Sequence, residues 1–157
     1  MSLPAFIPVI KPKFGLNELS FGSSMEECEK HLGKPEESSP LETETNDPTL
    51  VWHYWEKGLS LFFDHSQTPF FSCAEIDNPE TLLWNVKVFN LNEEEIKELM
   101  RSMAFFKIDI EVHEWGEKRI SFDDALMDFY FEEGKLKCIN YNAEFDTSNN
   151  NILILPN

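Results

Sequence analysis

Two stretches of this chain share one β-hairpin pattern, and this pattern constrains the fold more than any other feature. Residues 54–63 read YWEKGLSLFF and residues 130–139 read YFEEGKLKCI, so that aromatic residues, a glutamate, a glycine and later apolar positions align. A short loop with glycine in the left-handed conformation connects two strands in this way. The spacing therefore predicts hairpin turns at Gly58 and Gly134.

A helix with clear end signals precedes each hairpin. In SSMEECEKHLGKP, Ser23 or Ser24 caps the first helix and Gly33 can end it. In NLNEEEIKELMRSM, Asn92 is the expected cap. Three glutamates follow in the first turn, where their carboxylates interact favourably with the positive end of the helix dipole. Apolar residues recur in this second helix at helical spacing and predict one buried face: Ile96, Leu99, Met100 and Met103.

Segments of β character lie between and after the two helices. The sequence predicts nine strands, at about residues 50–55, 59–64, 70–76, 84–89, 108–113, 119–122, 126–131, 135–141 and 152–155. With one helix per half, the predicted fold class is α+β, an antiparallel sheet with helices on one face and two similar αβ halves. We expect a single domain, 1–157, with structural repeats at about 15–78 and 79–143 after an extended N-terminal arm.

Charge is the strongest global feature of the composition. The chain has 29 Asp and Glu against 13 Lys and Arg, which gives a net charge of −16. Nucleic acid and anionic membranes repel such a surface, so neither is expected as a partner. A basic protein would be attracted to it, although an acidic surface can also serve solubility alone. A hydrophobic fraction of 41% predicts a packed core.

The cysteines and the N-terminus bear on the cellular compartment. Cys28, Cys73 and Cys138 are odd in number and far apart, which predicts free thiols in a reducing environment. Prolines interrupt the apolar residues near the N-terminus, so no signal peptide is expected, and no segment approaches the ~18 apolar residues of a membrane helix. The expectation is a soluble, cytoplasmic protein.

Aromatic and acidic residues near the expected turns form the predicted partner-binding set. In VWHYWE, Trp52 and Tyr54 alternate with Trp55, so that both faces of the strand carry an aromatic ring. Either another segment such as the N-terminal arm covers one face, or the rings form an exposed hot spot. The predicted partner-binding residues are Trp52, Trp55, Glu114, Trp115, Glu117, Asp123 and Asp124.

Two of these groups have alternative interpretations. Trp115 lies between Glu114 and Glu117 at an expected hairpin tip, where it would suit a basic surface or, alternatively, fold back onto the core. Asp123 and Asp124 can form a second acidic tip, a metal-binding pair or a short polar turn. The polar turn is favoured, because no third ligand lies nearby in the sequence.

No motif for catalysis, cofactors or metals accompanies these residues. Cys28 and His31 have the spacing of half a zinc site, but a second pair is missing from the sequence. The serines lack a GxSxG context, and the glycines form neither GxGxxG nor a phosphate-binding loop. The sequence therefore predicts no enzymatic activity, no cofactor and no metal.

The helix pattern G.S..E....LG.P followed by Y...GLSLFF resembles the helix-plus-hairpin repeat of small bacterial proteins that are similar in shape to the beta-lactamase inhibitor protein and the outer-membrane assembly lipoproteins. The second half, HEWGEKRISFDDALMDFYFEEGKLKCINY, resembles small acidic immunity-type proteins that accompany bacterial toxins. The resemblance implies a protein that binds and blocks another protein without chemistry of its own.

The expected function is accordingly a non-enzymatic protein-binding module of the immunity or inhibitor type. Its partner would be a basic toxin or nuclease, and the module itself would be a monomer or a homodimer. The alternative is a protein that binds a small molecule or a peptide on an aromatic face of the sheet, and an enzyme is the least favoured reading.

Overall fold

The computed structural model describes residues 6–41, 49–64, 68–145 and 152–153. Of these residues, 48% lie in strands and 16% in helices. The helices are α1 (Met25–Leu32) and α2 (Glu93–Ser102), and a 3₁₀ helix spans Val88–Asn90. The strands are β1 (Val9–Lys11), β2 (Gly15–Leu16), β3 (Leu19–Ser20), β4 (Glu37–Leu41), β5 (Thr49–Tyr54), β6 (Leu59–Asp64), β7 (Phe70–Ile76), β8 (Leu82–Leu83), β9 (Val86–Lys87), β10 (Ile108–Val112), β11 (Glu117–Phe122), β12 (Met127–Glu132), β13 (Lys135–Asn142), β14 (Glu144–Phe145) and β15 (Ile152–Leu153).

The main sheet has eight strands in the order β10-β11-β12-β13-β7-β6-β5-β4. Every neighbouring pair in it is antiparallel. Strands β4 to β7 form one meander and strands β10 to β13 form another. The two meanders join at the centre of the sheet, where Ile76 of β7 pairs with Ile139 of β13.

A second sheet of five strands has the order β3-β2-β1-β8-β9. Its central pairing is parallel, because Val9 lies beside Leu82 and Ile10 beside Leu83. Part of the predicted N-terminal arm is thus a strand that pairs with residues about seventy positions later in the chain. Strands β14 and β15 form a separate antiparallel pair.

The predicted α+β fold class is wrong, because the fold is rich in β structure. The two α-helices have only 8 and 10 residues. The second sheet takes β1 from the predicted arm and β9 from the predicted strand 84–89, and its other strands lie where none was predicted. The predicted tandem repeat of a helix plus a hairpin is also wrong. Each α-helix precedes a four-stranded meander, and the second sheet combines short strands from both proposed repeats with β1 of the N-terminal arm.

Several local predictions are nevertheless confirmed. Strands β6 and β7 have the predicted bounds. The hydroxyl of Ser24 accepts a hydrogen bond from the Glu27 N–H at 3.1 Å and so caps α1. Asn92 and Glu95 form a reciprocal capping box at the start of α2. The predicted strand 84–89 is instead divided between β9 and the 3₁₀ helix.

One cluster of buried apolar side chains extends across the inner face of the main sheet. Phe63, Phe129 and Ile139 on this face are fully buried, as are Ile96 and Met100 of α2. Helix α2 is fixed to the sheet by an ion pair of 2.8 Å between Lys118 of β11 and Glu93. The opposite, outer face of the sheet carries mostly polar side chains.

Candidate functional site

Both strongly exposed tryptophans lie at the same end of the main sheet. Strand direction alternates along the antiparallel order, so the turns after β5, β10 and β12 all lie at one end, which we call the tryptophan end. Trp55 is in the turn after β5 and is 59% exposed, and Trp115 is in the turn after β10 and is 73% exposed. These two indoles are accessible to a partner.

Each of these indoles stacks on a histidine two residues earlier in the chain. The rings of His53 and Trp55 are 4.3 Å apart with an interplanar angle of 8°, and those of His113 and Trp115 are 4.4 Å apart with an angle of 10°. His53 is held by a contact of 2.8 Å between its Nδ1 and the Ser60 hydroxyl. Stacking orders each indole before any partner arrives, which reduces the entropy lost on binding.

A shallow groove runs across the outer face at the tryptophan end. It consists of two depressions, of about 320 and 440 Å³, that share Glu75, Lys137 and Cys138. His53 and Trp55 line the second depression. Four carboxylates and one amine line the combined surface, which we call the acidic groove. The charged groups are Glu75, Asp77, Glu117, Glu132 and Lys137.

The polar groups of the acidic groove are poorly suited to nucleophilic catalysis. Burial, together with the neighbouring Glu75 carboxylate, raises the pKa of the Cys138 thiol to about 12, so the thiol stays protonated at neutral pH. Ser60 is buried beneath the groove beside His53. In the part of the chain that the structure describes, no carboxylate is hydrogen-bonded to His53.

The predicted partner-binding residues divide into separate places. Trp55, Glu114, Trp115 and Glu117 lie at the tryptophan end, and Glu117 lines the acidic groove. Trp52 lies on the inner face instead, only 9% exposed, with its ring 4.8 Å from that of Phe63. Its indole is part of the core and is not offered to a partner at the surface.

Asp123 and Asp124 lie in the turn after β11, at the opposite end of the sheet. One carboxylate oxygen of Asp124 accepts hydrogen bonds from the N–H groups of Phe106 and Lys107, at 2.8 and 3.3 Å. Burial disfavours ionisation of Asp124, but these hydrogen bonds outweigh it and lower the pKa. Asp124 therefore fixes the start of β10, while Asp123 is exposed.

Sequence reasoning missed the histidines and the groove. A signal for the histidines is present, because H-x-W occurs at 53–55 and again at 113–115. Glu75, Asp77 and Glu132 carried no local signal, since they join the groove through strand pairing. Within the described ranges, no group of three or more histidine, cysteine, aspartate or glutamate side chains is arranged to hold a metal ion.

The two α-helices are short. Across the described residues, neither α-helix reaches the length and apolar character that crossing a bilayer requires. No family model, curated protein or solved structure matches this chain. The resemblance to immunity-type proteins therefore stays a prediction.

Proposed function

We propose that this chain is a non-enzymatic protein-binding module that holds a basic protein at the tryptophan end of its main sheet. The observation that carries the proposal is the pair of exposed, histidine-stacked indoles, Trp55 and Trp115, at the end of the sheet that also bears the acidic groove. Tryptophans of this kind act as anchors at the centres of interfaces.

Electrostatics supplies the second part of the proposal. The net charge of −16 attracts a cationic protein from a distance. The carboxylates of the acidic groove then lie close enough to contact basic side chains on its surface. A toxin or nuclease domain that binds nucleic acid presents such a basic surface, so the proposed role is that of a cytoplasmic immunity or inhibitor protein.

The alternative of a small-molecule binder fits the groove less well. Small ligands prefer enclosed, mainly apolar pockets of a few hundred Å³. Here the depressions are on a sheet face, and charged side chains form much of their lining. An extended protein surface with basic groups matches this shape and charge better.

Affinity purification from the source cells tests the proposal. Tagged protein should recover a stoichiometric basic partner at about 50 mM salt and less of it at about 150 mM, because salt screens the attraction. The double variant Trp55→Ala/Trp115→Ala should lose the partner and still show the circular dichroism spectrum of the folded chain. Recovery of no basic partner at either salt concentration, or full retention by the double variant, would contradict the proposal.

A further inference from the structure

Strand β10 forms an uncovered border of the main sheet. It is the last strand in the sheet order, and all five of its residues are exposed. Ile108 and Ile110 pair with Phe122 and Ile120, so that their side chains share the inner, core-forming face. The apolar layer of the core thus continues onto β10 and ends there without cover from the described residues.

The backbone of β10 is also open on its outer side. Two hydrogen bonds flank the pairing of β10 with β11: the His113 N–H donates to the Glu117 carbonyl at 2.8 Å, and the Asp123 N–H donates to the Lys107 carbonyl at 2.9 Å. Since hydrogen-bonded pairs alternate in an antiparallel ladder, the odd-numbered residues face β11 and the even-numbered ones face outwards. The outward N–H and C=O groups therefore belong to the residues with exposed apolar side chains, Ile108, Ile110 and Val112.

The other border of the sheet differs. Strand β4 contains Pro40, which has no N–H to donate, and sheets commonly use proline to discourage pairing at an edge. No proline or lysine interrupts β10, whose sequence is IDIEV. Within the described parts of the chain, no segment pairs with the outer side of β10.

We infer that β10 accepts an additional β-strand from the protein partner, and that this strand alternates apolar with basic residues. The inference rests on the proposed function, because it takes the partner to be basic. The apolar side chains of the added strand would extend the inner face beside Ile110. Its basic side chains would lie on the outer face, near Asp109 and Glu111.

Charge on the outer face favours this occupant over a second copy of the chain. The carboxylates of Asp109 and Glu111 both form ion pairs with the guanidinium of Arg119, at 3.4 and 2.7 Å. Two negative charges are thus paired with one positive charge. If β10 strands from two copies paired in antiparallel fashion with Ile110 at the centre, Asp109 of each copy would lie opposite Glu111 of the other. Like charges directly opposite one another destabilise a strand pair, whereas lysine or arginine there would stabilise it.

Hydrogen exchange with a designed peptide provides the direct test. The probe is an end-capped peptide that alternates lysine with valine, and the control peptide has the same composition in a blocked order. On the intact chain, the alternating peptide should slow exchange of the Ile108, Ile110 and Val112 amides about tenfold or more. The amides of Asp109 and Glu111, already bonded to β11, serve as internal controls and should change much less.

Two variants separate backbone pairing from apolar contact. Ile110→Pro removes an outward N–H without removing a bond to β11, and Ile110→Lys replaces the apolar side chain by a cation. Each should weaken peptide binding about tenfold or more. Ile7→Lys is the matched control, because Ile7 and Ile110 are equally exposed at 44%, and it should bind like the native chain.

The outcomes distinguish this inference from the proposed function. Peptide binding that perturbs residues of the acidic groove but leaves the Ile110 amide unprotected overturns strand addition and keeps the proposed function. Absence of peptide binding, or unchanged binding in both Ile110 variants, also overturns strand addition. A dimer that is seen in sedimentation and is abolished by Ile110→Pro also overturns strand addition by the partner, since a second copy would then occupy β10. The remaining outcome combines slowed amide exchange in β10 with retention of the basic partner by the Trp55→Ala/Trp115→Ala variant. This outcome supports strand addition and contradicts the proposed function.

Discussion

The phenol of Tyr141 donates a buried hydrogen bond of 3.0 Å to the backbone carbonyl of Gly15. Tyr141 is in β13 of the main sheet, and Gly15 is in β2 of the second sheet, so this bond crosses the core between them. Burial raises the pKa of Tyr141 well above its usual range, which keeps the donor proton in place. The bond thus helps to fix how the two sheets pack.

Removal of this hydroxyl should cost measurable stability. Tyr141→Phe keeps the ring but leaves a buried carbonyl without its donor, so we expect the free energy of unfolding to fall by about 1–2 kcal/mol in urea titrations. Tyr130→Phe is the control, because Tyr130 is only partly buried on the outer face, and its effect should stay within about 0.5 kcal/mol. Equal effects of the two substitutions would argue against a special role for the contact with Gly15.

Truncation of Trp52 should destabilise the fold, whereas truncation of Trp55 should have little effect. Trp52→Ala empties space in the core beside Phe63 and should lower the free energy of unfolding by about 3–5 kcal/mol. Trp55→Ala removes a mostly exposed ring, and we expect a change within about 0.5 kcal/mol. Thermal melts followed by circular dichroism measure both. A stable Trp52→Ala protein would show that the inner face is less well packed than described.

Asp124 should stabilise the fold in a pH-dependent way. Its pKa is lowered in the folded chain, so its contribution is present above the unfolded value of about 3.9 and is lost as pH falls through the folded value. At pH 7, Asp124→Ala should cost about 1–2 kcal/mol, and Asp123→Ala should cost much less. The difference between Asp124→Ala and the native chain should shrink in acid. A pH-independent difference would contradict this assignment.

The thiols should react slowly in the folded protein. Burial raises the pKa of Cys28, Cys73 and Cys138 to about 12 each. With ordinary thiols near 8.5, reaction with a disulfide reagent at pH 8 should be about a thousandfold slower than in the urea-unfolded chain. Rapid labelling of Cys138 in the folded state would contradict its burial against Glu75.

The same thiols predict sensitivity to alkali. A pKa raised by folding contributes stability that is fully present below the unfolded value of about 8.5 and is lost as pH rises towards the folded value of about 12. The urea concentration at the midpoint of unfolding should therefore decrease as the pH is raised from about 8 to about 10. The variant Cys28→Ala should show a smaller fall than the native chain, and an identical fall would exclude Cys28 as a contributor.

The sequence predicted individual elements better than their assembly. Alternation and turn residues located β6 and β7, because these strands carry long periodic signals. Gly15–Leu16 and Leu19–Ser20 are two-residue strands, and such short segments have no period to detect. Gly15–Leu16 pairs with β1, and Leu19–Ser20 pairs with Gly15–Leu16. The second sheet is completed where β1 pairs with Leu82–Leu83 across a large sequence separation, and the error in fold class arose there.

The candidate site was predictable only in part, for a similar reason. Alternation put Trp52 and Trp55 on opposite faces, but the choice of the buried face depends on packing with Phe63. The role of Asp124 depends on backbone groups 17 and 18 residues earlier. By contrast, Trp115 is exposed at a hairpin tip, as one of its two interpretations required. Tertiary contacts decide such questions, and a single sequence contains no direct record of them.

Pro40 in β4 also bears on how copies of this protein behave when crowded together. Open-ended association through the main sheet requires two edge strands on every molecule that can both pair with a neighbouring copy. Over the residues that the structure describes, one border carries a proline and the other is free. Association through the sheet should therefore stop at a small, closed complex, and the chain should resist growth into fibres at high concentration.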